Sequence, residues 1–410
     1  MMGEPATEWL TIDFLTQCLQ REEDFQNIEV TDFTTSRALP LGEQYLSCPL
    51  RVKVHYKIRD SGQSHSISLI IKSELKTNHT QEYVASFECT ESTFYTAFIP
   101  KANALIKSTF APRSFYSPNP SIVVLEDLKD KGFVMGDKVK RLDFEHCRSY
   151  ISAITTLHAV SFAVHREDPA LIESFKKEKV FSNDMPASAT FKMMSTAALR
   201  CLAEYTETSE TFKKHSKVIR KILPNFWDMV VEAVKSVGEL KTLNHADSWT
   251  NNFMFRYNED GSIAEIKLLD FQMVRYASPV IDLVYFIWSS VSDDVRRHRL
   301  DELYHLYVDQ LNTNLKRAGC KENVSYELVK KEVEKLSPLA LNLVTGMAPF
   351  TSENSVQELE PFFVNGSEEM TYKTYKAYFS KEKFRNGFLP KVLEQMEAAG
   401  VFDYFEKTYK

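Results

Sequence analysis

Along residues 51–58 apolar and polar positions alternate, Arg51-Val52-Lys53-Val54-His55-Tyr56-Lys57-Ile58, and after Asp60-Ser61-Gly62 a second strand-like run follows over 67–72. A period of two puts successive side chains on opposite faces, so the spacing predicts a β-hairpin with one buried face. The period changes over 82–99, where Phe87, Glu91, Phe94, Tyr95 and Phe98 recur at helical spacing before Pro100. A helix is predicted to follow the hairpin. A short apolar run, Ser121-Ile122-Val123-Val124-Leu125, then leads into Glu126-Asp127-Leu128-Lys129 and a turn at Gly132. That reads as a strand followed by a connector between two structural parts.

Beyond Arg141 the pattern turns helical. Asp143 is the predicted N-cap of a long helix whose stripe of Phe144, Cys147, Ile151, Ile154, Leu157 and Phe162 runs towards Pro169. A further helix over 212–237 is predicted to kink at Pro224. A second hairpin, 253–257 with 263–270, closes through Asn258-Glu259-Asp260-Gly261-Ser262, and helices and loops occupy the chain after Asp282. The fold class is therefore α+β: residues 1–128 form a lobe with an N-terminal helix, an antiparallel sheet and a helix, and residues 129–410 form a larger, mainly helical lobe.

Composition narrows the partners. With 43% hydrophobic residues in 410 the chain can bury a large core, which excludes disorder. A net charge of -6 gives no general attraction to nucleic acid or anionic lipid. The cysteines Cys18, Cys48, Cys89, Cys147, Cys201 and Cys320 lie far apart, with no C-x-x-C pair, and read as reduced, buried thiols. The start, Met1-Met2-Gly3-Glu4-Pro5, has no signal-like region, so the sequons at Asn78, Asn323 and Asn365 read as chance matches. The most apolar stretch, 281–288, contains Asp282 and is too short to cross a bilayer. A cytoplasmic protein without membrane insertion or nucleic-acid partner is expected.

The sharpest chemical signal is His245-Ala246-Asp247-Ser248-Trp249-Thr250-Asn251-Asn252, an H-x-D-x-x-x-x-N string before a hairpin, followed by Leu268-Leu269-Asp270-Phe271-Gln272. Phosphoryl transfer needs a carboxylate to orient and deprotonate a hydroxyl, and oxygen ligands to hold Mg²⁺ on the phosphates. In that chemistry Asp247 is the base, Asn252 and Asp270 are the metal ligands, and His245 braces the loop. The bland alternative makes Asp247 and Asn252 turn caps and Asp270 a strand end. A cation on the ATP phosphates is also required. Lys72, at the end of an apolar strand, is the candidate, with Glu91 on the next helix to fix it; Glu88, on an adjoining face, is the alternative. With only 12 glycines and neither G-x-G-x-x-G nor a Walker string, the phosphate cover falls to the stretch around Gly42, with Ser47 or backbone N–H groups as donors.

These pieces resemble the ecdysteroid kinase-like family, relatives of aminoglycoside phosphotransferases and choline kinases. The resemblance runs almost end to end, through Gly42-Glu43-Gln44-Tyr45-Leu46-Ser47, Lys72, Phe94-Tyr95-Thr96-Ala97-Phe98-Ile99-Pro100, Val124-Leu125-Glu126-Asp127-Leu128-Lys129, Leu157-His158-Ala159, the string beginning at His245, and the stretch from Asp270 to Leu283. It implies a bilobal protein-kinase-like fold, ATP with Mg²⁺, and phosphorylation of an alcohol, ecdysteroid hormones in the members that name the family. By the same resemblance Leu125, Glu126, Asp127 and Leu128 form the hinge whose backbone holds adenine, and Asp282 braces the catalytic loop. Two positions depart from the family pattern: Ala246 stands where glycine is usual, and Ser248 where a larger residue is common. Neither removes a catalytic group.

The expected activity is ATP-dependent phosphorylation of a hydroxyl on a small lipophilic molecule, with a steroid as the first candidate partner. Phe286, Trp288, Met347, Phe350, Phe362 and Phe363 are candidates for an apolar acceptor pocket, with plain core as the alternative for each. The competing readings are a choline- or ethanolamine-type amino-alcohol kinase and a catalytically silent binding protein.

Overall fold

The computed structural model describes residues 8–38, 49–73, 90–107, 110–236, 238–347 and 366–409. The chain divides into two compact units, Met1–Val134 with Met254–Gln272, and Met135–Phe253 with Met273–Lys410.

In the first unit the alternating stretches become strands. β1 (Ile28–Arg37), β2 (Leu50–Ile58), β3 (Ser64–Ser73), β4 (Ser114–Phe115) and β5 (Ile122–Glu126) form one antiparallel sheet in the order β1-β2-β3-β5-β4. Leu50, Val52 and Val54 of β2 and Leu69 and Ile71 of β3 are buried with Phe14, Leu15, Cys18 and Leu19 of the helix Ile12–Gln20. The strand period then fixes the direction of Lys72: one residue after Ile71, it leaves the core face. β1 is not foreshadowed by a strand period, because only Ile28 and Val30 are fully buried, Phe33 is half-buried against the core, and the other positions of this edge strand are exposed.

The expected helix after β3 is described from Thr90 onward, as Thr90–Thr93, a π-helical Phe94–Phe98 and Ile99–Leu105. Pro100 has no N–H to continue the regular ladder, and the wider turn immediately precedes it. The same arrangement recurs in the second unit, where the π-helical Lys383–Phe388 runs into Pro390.

The second unit is mainly helical. Asp143 caps Phe144–Glu167, accepting the His146 N–H at 3.0 Å. The helix around Pro224 breaks as expected, into Lys213–Ile222, a 3₁₀ turn Leu223–Asn225 and Phe226–Ser236. The ribbon Thr242–Asn244 paired with Arg275–Ala277 lies on either side of the two chemical motifs in sequence. Every residue of Val280–Ser290 is buried, so this helix is core on all faces. Phe286 stacks on Tyr150 with ring centroids 3.8 Å apart, and Trp288 is buried too, so both are core side chains. Phe350, Phe362 and Phe363 lie outside the described residues. Among the described residues no helix is long and apolar enough to cross a membrane, and Cys18, Cys147, Cys201 and Cys320 are free and buried.

Candidate active site

The first unit gathers Lys72, Glu91 and Asp270. The Lys72 ammonium donates to both Glu91 oxygens at 2.9 Å and to Asp270 Oδ1 at 2.6 Å. Burial works against the charged ammonium, but the two carboxylates outweigh it and hold the lysine pKa above its ordinary value. Burial likewise pushes the Glu91 carboxyl up, opposed by Lys72 and by the Phe271 N–H that donates to Oε1 at 3.1 Å. One ammonium between two carboxylates leaves an excess of negative charge on this cluster.

Local backbone explains how Asp270 reaches it. The hairpin strand Ile263–Leu268 ends two residues earlier, and Asp270 itself takes φ +66°, the left-handed region in which Cβ crowds the carbonyl. Phe271 anchors the turn: its ring stacks on Phe94 with centroids 4.0 Å apart and meets Tyr95 edge-on at 5.8 Å. Thr90 Oγ1 donates to Gln272 O at 2.7 Å, and Gln272 Nε2 donates to Asp270 Oδ2 at 3.2 Å.

The expected hinge also lies here. Asp127 is 4% exposed, and its carboxylate accepts from Arg51 Nε at 2.5 Å and Ser68 Oγ at 2.8 Å. Glu126 accepts the Arg113 N–H at 2.8 Å and pairs with Lys131. Burial opposes ionisation of Asp127, yet Arg51 and Ser68 hold its pKa below the ordinary value. Both acidic side chains are thus committed to the protein. The backbone N–H groups of Glu126 and Asp127 donate to Arg113 O and Ser68 O, and Leu128 begins the 3₁₀ turn Leu128–Lys131. Leu125 pairs with Ile70 of β3. Ser47, Gly42 and Glu88 lie outside the described residues.

The second unit gathers His245, Asp247, Asn252 and Asp282. Ala246 takes φ +68°, so the position where glycine was expected is a left-handed one occupied by a residue with a Cβ. The loop is held there from below. Asp282 accepts the His245 N–H at 2.7 Å on Oδ2 and the Ala246 N–H at 2.9 Å on Oδ1. His158 Nε2 lies 3.2 Å from Asp282 Oδ2, and the Tyr307 hydroxyl lies 3.0 Å from His158 Nδ1. His158, His245, Asp282 and Tyr307 are all 0% exposed. Burial alone would raise the Asp282 carboxyl; the His158 hydrogen bond and the loop amide outweigh it and hold the pKa below the ordinary value.

Among the described residues, Asn252, Trp249 and Tyr285 donate to Asp247. Asn252 Nδ2 donates to Oδ2 at 2.8 Å and to the Asp247 carbonyl at 2.8 Å, Trp249 Nε1 donates to Oδ2 at 3.3 Å, and the Tyr285 hydroxyl donates to Oδ1 at 3.0 Å. Because Asn252 directs its amide nitrogen at Asp247, its amide oxygen is the atom left to serve a hard cation. By donor chemistry an amide oxygen and, in the first unit, the Asp270 carboxylate are each of the type that Mg²⁺ takes. Sequence reading missed Tyr285, Trp249 and Tyr307. One signal was available: Tyr285 lies three residues after Asp282 on a helix, hence on the same side as the loop that Asp282 braces.

A family model described as the ecdysteroid kinase-like family matches residues 41–320, about two thirds of the chain. No curated protein matches. Among solved structures the chain is similar to an ethanolamine kinase from Plasmodium vivax, at 12% identity over 86% of this chain and 83% of that one, with a TM-score of 0.38. It is similar to a choline/ethanolamine kinase family protein from Mesorhizobium loti at 14% identity, 93% and 99% coverage and a TM-score of 0.35. For the choline kinase LicA from Streptococcus pneumoniae the values are 12%, 84%, 94% and 0.30.

Proposed function

Because this chain belongs to the ecdysteroid kinase-like family, we propose that it is a small-molecule kinase that moves the γ-phosphoryl of ATP, with Mg²⁺, onto a hydroxyl of a small lipophilic acceptor of the ecdysteroid type. The observation that carries the reading is the Lys72 ammonium held at once by Glu91 and Asp270. A cation fixed on a glutamate, next to a carboxylate with oxygens for a metal, is what a triphosphate requires.

In this reading Lys72 contacts the α- and β-phosphates and Glu91 fixes the lysine. Asn252 and Asp270 would hold Mg²⁺, which would draw charge from the phosphate oxygens. Asp247 accepts the proton of the acceptor hydroxyl as its oxygen attacks the γ-phosphorus, and ADP leaves. Adenine lies against the backbone at Leu125, Glu126, Asp127 and Leu128, and Ser47 belongs to the phosphate cover. His245 and Asp282 keep the catalytic loop in place. Support for a cytoplasmic location comes from the four described cysteines, all unpaired.

The test is incubation with Mg-ATP and a panel of ecdysteroids, other sterols, choline, ethanolamine and aminoglycosides, read by mass spectrometry for the gain of one phosphate. Transfer to an ecdysteroid is the expected result; transfer to choline or ethanolamine alone would replace the acceptor, and nucleotide binding without transfer to any would leave a binding protein. Asp247→Asn should lower turnover by about 10²–10⁴ while sparing ATP binding. Unchanged turnover removes Asp247 from the base role.

A further inference from the structure

The helix Val280–Ser290 reaches the 245–252 loop from Asp282, Tyr285 and Ser289, the last donating to Ser248 O at 3.4 Å. Asp282 holds its backbone, and Tyr285, one turn later, holds the carboxylate of Asp247. The Tyr285 contact completes a frame. Asn252 and Trp249 come from the loop itself and both address Oδ2, at 2.8 and 3.3 Å. Those bonds address one oxygen of the carboxylate. The Tyr285 hydroxyl comes from a separate, wholly buried helix and takes Oδ1 at 3.0 Å, so that both oxygens of the carboxylate are held from two elements.

The hydroxyl is built for this contact. Tyr285 is 5% exposed, in a helix whose every other residue is also buried, and a buried hydroxyl is costly without a partner. Burial, then the negative charge of Asp247, push its pKa well above the ordinary tyrosine value, so it stays a donor. A base must meet its hydroxyl within a narrow range of angle and distance, and small misplacements cost rate.

We propose that Tyr285 is a positioning residue for phosphoryl transfer, its hydroxyl holding the Asp247 carboxylate in the orientation that receives the acceptor hydroxyl. The proposal rests on Asp247 being the base. Tyr285→Phe keeps the ring and its packing and removes only the donor.

The chain has 4 tryptophans, so a ¹⁵N correlation spectrum carries four indole N–H signals, and Trp249→Phe identifies the one that reports on Asp247. In Tyr285→Phe the Trp249 signal should move while the other three hold. With the acceptor found by the panel, or with water as acceptor in slow ATP hydrolysis, kcat should fall about tenfold with the KM for Mg-ATP unchanged. In an Asp247→Asn background the same change should cost nothing further. An unmoved Trp249 signal overturns the proposal whatever the activity, and so does a moved signal with full kcat. If Asp247→Asn alone retains full turnover, the base assignment fails and the catalytic part of the proposal with it, while a moved Trp249 signal still establishes the contact.

Discussion

Asp282→Asn keeps the size of a side chain that is 0% exposed and removes its charge and one acceptor. The carboxylate serves three donors: His245 N–H and His158 Nε2 on Oδ2, and Ala246 N–H on Oδ1. An asparagine oriented to serve the two donors at Oδ2 turns its NH₂ toward the Ala246 N–H, donor against donor. One hydrogen bond to a charged group, about 1.5–3 kcal/mol, is lost, and the two that remain weaken as the charge disappears. The sum is about 3 kcal/mol, or roughly 6–12 °C in the thermal midpoint of a unit this large. Ala246 supplies an internal control. Its left-handed backbone costs about 1–2 kcal/mol for a residue with a Cβ, so Ala246→Gly in the Asp282→Asn background should regain about 1 kcal/mol. Acid titration gives a second reading. The Asp282 pKa is held below its ordinary value, so its contribution is full above the unfolded-state value, about 4, and fades as pH falls through the lower folded value. The wild-type advantage over the asparagine variant should therefore shrink only below about pH 4. A variant within about 0.5 kcal/mol of wild type by calorimetry would refute the reasoning.

Lys72→Met should leave Glu91 and Asp270 facing each other without their cation, lowering stability by about 3–5 kcal/mol and abolishing nucleotide binding, as read by thermal unfolding and titration calorimetry. Phe271→Ala should empty the space stacked against Phe94 at a cost of about 3–5 kcal/mol in chemical denaturation, whereas Phe271→Leu should cost less than half of that.

What was legible in the sequence is what repeats or lies close in the chain. The β2–β3 hairpin, the Asp143 cap and the break at Pro224 each announce themselves within a dozen residues, through period, capping chemistry or a missing N–H. Lys72 and Asp270 were readable as residue types at strand ends. Glu91 was preferred from its place before Phe94-Tyr95, and its carboxylate does meet Lys72. What escaped are partners joined only by folding. Tyr285 stands 38 positions from Asp247, and Tyr307 stands 149 from His158. Each is buried on a helix, where a tyrosine reads as core until the structure gives its hydroxyl a partner.

Backbone strain sharpens the distinction between a turn and a site. Three described residues other than glycine have positive φ: Arg141, Ala246 and Asp270. Arg141 closes a turn, its N–H donating to Asp137 O at 2.8 Å, and no proposed chemistry lies there. Positive φ alone therefore does not mark a catalytic position. Ala246 and Asp270 differ in what holds them. Ala246 is fixed by the ionised Asp282 and Asp270 by the Lys72 ammonium, each a buried charge supplied from more than 30 positions away in the chain. Local sequence could have relieved either strain with a glycine. At Asp270 glycine would remove the carboxylate, so the strain there is inseparable from the side chain. At Ala246 no such demand exists, which is why, of these two, it is the position expected to accept glycine with a gain in stability.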